Sequence, residues 1–92
     1  DETFELSIKD TTKDTAFVIG FTFDDSTKLY ARINPGTIAT IKCEQEVKKI
    51  EFFSGINLQT KQMYLKATYS RRIKHTTTLT ISETSDGKYF VK

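Results

Sequence analysis

The stretch Thr15–Cys43, TAFVIGFTFDDSTKLYARINPGTIATIKC, decides the fold of this chain. Phe17, Ile19, Phe21 and Phe23 fall at every second position. A strand turns alternate side chains to one face, so these four share a face that needs a second layer to cover it. Ala16, Val18, Gly20 and Thr22 make a smaller opposite face, with Gly20 marking a bulge or a close approach. Asp24-Asp25-Ser26-Thr27 is a turn cluster, because these side chains bond their own backbone. The period of two then resumes with Leu29, Ala31 and Ile33, and Lys28, Tyr30 and Arg32 lie opposite. Pro35-Gly36 suits the centre of a type II turn, since Pro fixes φ and Gly accepts a positive one. Ala39, Ile41 and Cys43 form one face of a third strand.

The same reading extends both ways. Upstream, Phe4, Leu6 and Ile8 alternate with Glu5 and Ser7, and Lys9–Asp14 (KDTTKD) is a polar turn. Downstream, Val47–Phe53 is a strand whose alternation breaks at Lys48-Lys49, which implies a bulge or a charge-guarded edge. Glu44–Ile50 is the one stretch with a short-helix alternative. Ser54–Thr60 reads as a loop. Lys61–Ser70 is a strand with Met63, Leu65, Ala67 and Tyr69 on one face, and Ile73–Ser82 is a strand with Ile73, His75, Thr77, Leu79 and Ile81 inward. Arg71-Arg72 is then the tip of a hairpin joining those two strands. Asp86-Gly87 predicts a type I′ turn into a last short strand, Tyr89–Val91.

About seven to eight short strands between turn clusters predict an all-β chain: an antiparallel β-sandwich, immunoglobulin-like or similar, with a small barrel as the alternative. The expected core is Phe4, Leu6, Phe17, Ile19, Phe21, Leu29, Ile33, Ile41, Phe52, Leu65, Leu79 and Ile81. At 92 residues and 37% hydrophobic, one domain over 1–92 with a thin core is expected, too small for a large ligand cavity. No transmembrane helix and no leader core is read from the hydropathy. The chain begins at Asp1 rather than Met, which suggests a cleaved leader or a domain edge. Secretion or the cell surface is favoured over the cytosol. One cysteine excludes an internal disulfide.

No stretch matches a nucleotide loop, a nucleophile elbow or a metalloprotease helix, so neither a cofactor nor an enzyme is expected. Asp10 with Asp14, and Asp24-Asp25 with Ser26, offer oxygens at a spacing unlike a calcium loop, so they read as turns and no metal is expected. His75 has no ligand partner at metal spacing and reads as a hydrogen-bonded core histidine. Cys43 reads as a small buried hydrophobe rather than half of a Cys–His dyad.

Charge is the one unusual feature. Residues 1–46 hold five basic and nine acidic groups, whereas residues 47–92 hold nine basic and three acidic ones. No acidic residue lies between Glu51 and Glu83. Lys61, Tyr64, Lys66, Arg71, Arg72 and Lys74 fall in that span and form the candidate partner-binding set, with Tyr69 as a weaker member. Lys and Arg neutralise phosphate or sulfate while exposed rings stack, so a polyanion is one candidate partner: nucleic acid, glycosaminoglycan or an acidic membrane surface. The simpler reading of the same residues is two solvated strand faces. The other functional expectation, and the first, is a module that engages another protein through a sheet edge or loop end.

Overall fold

Eight strands and no helix make up the computed structural model, which describes residues 2–92. The strands are β1 (Phe4–Asp10), β2 (Phe17–Phe23), β3 (Lys28–Ile33), β4 (Ile38–Cys43), β5 (Val47–Ile56), β6 (Met63–Tyr69), β7 (Thr77–Glu83) and β8 (Tyr89–Val91). They form two four-stranded sheets that pack face to face as a sandwich and do not close into a barrel. Sheet A has the order β4-β1-β7-β8 and sheet B the order β3-β2-β5-β6. All pairings are antiparallel except β1 with β7, which runs parallel from Leu6↔Thr77 to Asp10↔Ile81. Glu44–Ile50 holds no helix; β5 starts at Val47.

The alternation in β2 places Phe17, Ile19 and Phe21 in the interior with Phe52 and Ile50 of β5, which they meet through the pairs Ile19↔Phe52 and Phe21↔Ile50. Sheet A answers with Leu6, Ile8, Leu79 and Ile81. Phe17 stands edge-on to both Phe52 and Tyr89, with centroids 6.0 and 5.3 Å apart. Such pairs add about 0.5–1.5 kcal/mol beyond the area they bury. Cys43, Val47 and Ile73 complete the buried cluster.

Of the expected core residues, two lie at the margin of the core and two outside it. Phe4 and Ile41 are half-buried and pack against the core from its margin, Ile41 on the edge strand β4. Leu29 pairs with Phe21 but lies on the edge strand β3, where it is 42% exposed. Leu65 is 52% exposed, and its displacement has a definite cause. Phe52 pairs with Ala67 and the next residue, Phe53, with Leu65, so Lys66 is an extra residue in β6. One inserted residue turns everything beyond it to the opposite face. Ala67 and Tyr69 stay against the core, whereas Leu65 and Met63 face out. A second bulge lies in β5, where Thr22↔Lys49 is followed by Phe23↔Val47 and Lys48 is left over. Lys48-Lys49 thus marks a bulge in an inner strand and not an edge.

Asn34-Pro35-Gly36-Thr37 forms the expected turn, with Gly36 at φ +77° and the Thr37 amide donating to the Asn34 carbonyl at 3.2 Å. It carries the chain from sheet B to sheet A. The Asp10 carbonyl accepts from the Gly36 amide at 2.8 Å and so fixes the crossing to the end of β1. Asp10 itself is buried, its Oδ1 accepting from the Thr12 amide at 2.9 Å and the Thr12 hydroxyl at 2.6 Å.

The three hairpin loops share one device. In the β7–β8 loop the Gly87 amide donates to the Thr84 carbonyl at 3.1 Å, with Gly87 at φ +84°. Asp86 keeps a negative φ, so this is a three-residue loop ending in a left-handed residue, not the expected type I′ turn, which needs two positive φ values. The β2–β3 loop repeats it: the Ser26 amide donates to the Phe23 carbonyl at 2.8 Å and Ser26 has φ +71°. In the longer β5–β6 loop the Lys61 amide reaches the Asn57 carbonyl at 2.7 Å and Lys61 has φ +64°.

Candidate functional site

The candidate residues do not form one hairpin. β6 belongs to sheet B and β7 to sheet A, so the segment Ser70–Thr76 crosses between sheets. Within it Ile73 makes a two-way backbone bridge to Val47, at 2.9 and 3.0 Å, which prolongs the line of β6 along β5. Arg71 and Lys74 are exposed on this crossover. His75 is exposed as well, not inward, because pairing with β1 begins only at Thr77. Cys43 is buried and burial pushes its thiol up, the wrong direction for a nucleophile. With the thiol inside and the imidazole outside, no Cys–His dyad forms.

Arg72 is not a free cation. Its guanidinium donates to Asp24 Oδ1 and Glu46 Oε2, both at 2.7 Å. Hydrogen bonds to Glu46 and then Asp24 raise its pKa. These partners lie on the β2–β3 loop and the connection before β5, so the acidic first half of the chain answers one arginine of the second.

Lys61, Tyr64 and Lys66 remain together on the β5–β6 hairpin. Tyr64 lies over Gly55, where an added Cβ would meet its ring at 3.3 Å, and the Lys66 ammonium stands 5.8 Å from the same ring's centroid. Tyr69 is half-buried against the core, as its alternation implies. What the alternation missed is the apolar company. Among the described residues nine large apolar side chains are markedly exposed, and five of them belong to this hairpin: Ile56, Leu58, Met63, Tyr64 and Leu65. Leu58, at 74%, is the most exposed of all. Asn57 Oδ1 accepts the Gln59 and Thr60 amides at 2.9 and 3.1 Å and so holds the tip that presents Leu58. The signal in the sequence was a pair of apolar residues two positions apart, Ile56 and Leu58, in a stretch read as loop.

A second exposed feature lies on the outer face of sheet B. An added Cβ at Gly20 would meet the Tyr30 ring at 3.0 Å and the Phe53 ring at 3.5 Å, so the close approach expected there is made by Tyr30. Elsewhere, among the described residues, no three His, Cys, Asp or Glu side chains gather as a metal site, and no helix is long and apolar enough to cross a membrane.

No protein-family model matches the chain. No curated protein matches it either. Among solved structures, the chain is similar to the NMR structure of a protein from Eubacterium rectale. The two superpose with a TM-score of 0.67 at 14% identity, over 100% of this chain and 88% of that one. At that identity the likeness establishes a shared fold.

Proposed function

We propose that this domain is a non-enzymatic interaction module that binds another protein through the β5–β6 hairpin and the open edge of β6. The observation that carries it is the concentration of exposed Ile56, Leu58, Met63, Tyr64 and Leu65 on the hairpin that ends sheet B, the last three of them on its terminal strand. Exposed apolar groups gathered beside an open edge are what a partner covers. β8, which ends sheet A, is only three residues long and offers a shorter ladder. The test is a photo-cross-linking residue placed at Leu58 in the cells that make the protein, with the same residue at Ser85 in the β7–β8 loop as control. A discrete adduct from Leu58 and none from Ser85, lost when Leu65→Asp is added, is the expected result. Equal labelling from both positions refutes the reading.

Exposed Lys61, Lys66, Arg71 and Lys74 in a span without acids favour a second reading, binding of a polyanion. It has lost its hairpin and the free charge of Arg72. Retention on heparin resin above about 0.15 M salt, where the screening length is roughly 8 Å, would favour it over the first; elution below that is expected.

A further inference from the structure

We infer that the partner segment is an extended, acidic strand that adds to sheet B along β6 as a fifth strand. The inference rests on the interaction-module reading and names the chemistry of its partner. β6 is bonded to β5 on one side and ends the sheet on the other, and Ile73 continues its line. A peptide added there would meet backbone donors and acceptors along Met63–Tyr69, with apolar contacts from Leu65 and Met63.

Charge selects among the occupants of such an edge. From residue 52 to residue 82 there is no carboxylate, while Lys66 sits in the middle of β6, Lys61 at one end and Arg71 and Lys74 beyond the other. A second copy pairing edge to edge would bring like charges together, and the Lys66 bulge is the kind of device that keeps identical edges apart. The same lysines face an acidic strand favourably. Aligned on β6, carboxylates at alternate positions meet Lys66 and the flanking cations while the residues between them meet Leu65 and Met63. The edge is thus closed to self-association and open to an acidic partner.

The probe is a capped eight-residue peptide alternating Glu and Val. Its controls are the same peptide with Gln or Lys for Glu, and the Glu peptide with alternate backbone nitrogens methylated, in either of the two registers. Binding is read from backbone amide shifts and slowed amide exchange in the isotope-labelled domain. The Glu peptide is expected to shift and protect residues 63–69, and to weaken as salt rises. Replacing Lys66 and Arg71 together by Glu should weaken it about 2- to 30-fold, the range for two exposed ion pairs, with the spectrum's dispersion unchanged. Equal binding of the Gln or Lys peptide overturns the acidic partner while leaving the interaction surface standing. Unchanged binding of both methylated peptides overturns strand addition. Silence of every peptide at β6 overturns the inference, and the cross-link at Leu58 then decides separately whether the hairpin binds protein at all. Concentration-dependent self-association of the free domain through β6 also overturns it.

Discussion

Lys61 and Gly87 end two hairpin loops in the same left-handed conformation, at φ +64° and +84°, yet only one of them is glycine. Exchanging the residue types should therefore move stability in opposite directions. An L-residue in this region costs about 1–2 kcal/mol through the clash of its Cβ with the following carbonyl. Glycine gives back about 0.4–1 kcal/mol because the unfolded chain gains freedom. The difference predicts that Lys61→Gly stabilises, and Gly87→Ala destabilises, by roughly 0.5–1 kcal/mol each. Neither change is confused by packing. A Cβ at Gly87 meets nothing within 4 Å, and Lys61 is exposed. For a chain of this length such a change shifts Tm by roughly 2–8 °C, measurable by calorimetry or by thermal melts followed at the strand band. Ser26→Gly should act like Lys61→Gly, less whatever the 3.3 Å contact from Lys48 to the Ser26 hydroxyl contributes. If both substitutions to glycine lower Tm, the loops do not hold these residues left-handed and the account of all three hairpins falls.

Further outcomes are expected from single changes. Ile50→Ala, in the buried cluster, should cost about 2–5 kcal/mol, whereas Leu65→Ala should cost under about 1 kcal/mol; equal losses in urea titrations would put Leu65 back in the core and remove the Lys66 bulge. The buried Cys43 thiol should resist an aromatic disulfide reagent in native buffer and react at once in denaturant; stoichiometric labelling of the native protein within seconds would contradict its burial. Hydrogen bonds from the Thr27 hydroxyl, then its amide, and from Gln45 hold the Asp25 carboxyl below its ordinary pKa. A lowered folded pKa stabilises above the unfolded value and the gain is lost as pH falls through the folded one, so Asp25→Asn should flatten the loss of stability as pH falls below the ordinary carboxylate range. An unchanged acid limb would mean the carboxylate is not held.

The strands themselves were legible because a strand's period survives in its residues: β2 reads Phe17, Ile19, Phe21 and the structure buries all three. The Asp24–Thr27, Pro35-Gly36 and Asp86-Gly87 turns were legible for the same local reason, that their side chains or φ values close the backbone. Sheet membership was not. The break between β6 and β7 is a sheet crossing with the same polar composition as a hairpin tip, so Arg71-Arg72 was placed on a hairpin that does not exist. Nor was the face of Leu65, since alternation presumes an unbroken register and the extra Lys66 has no mark of its own in the chain. The tie of Arg72 to Asp24 and Glu46 joins residues 48 and 26 positions apart, a distance at which charge counts say only that partners exist. Of the candidate set, Lys61, Tyr64 and Lys66 share one hairpin; of its apolar residues, Ile56 and Leu58 were hidden in a stretch read as loop, and Met63 and Leu65 on a strand face read as inward.

The parallel pairing of β1 with β7 sets the timing of assembly. Leu6 and Thr77 become neighbours only after the 70 residues between them have been made. Sheet B needs nothing outside residues 17–69, and β2–β3 and β5–β6 are local hairpins within it. Sheet A draws on both ends of the chain. At about 5–20 residues per second of synthesis, the interval between the emergence of β1 and that of its inner partner is roughly 4–14 s. Throughout it, Leu6 and Ile8 on β1 have β4 as their only sheet neighbour, and the other side of the strand is unpaired. β1, made before its sheet partners, is thus among the last of the domain's strands to be sealed, and a nascent chain halted before residue 77 carries an aggregation-prone edge that the finished domain conceals at its centre.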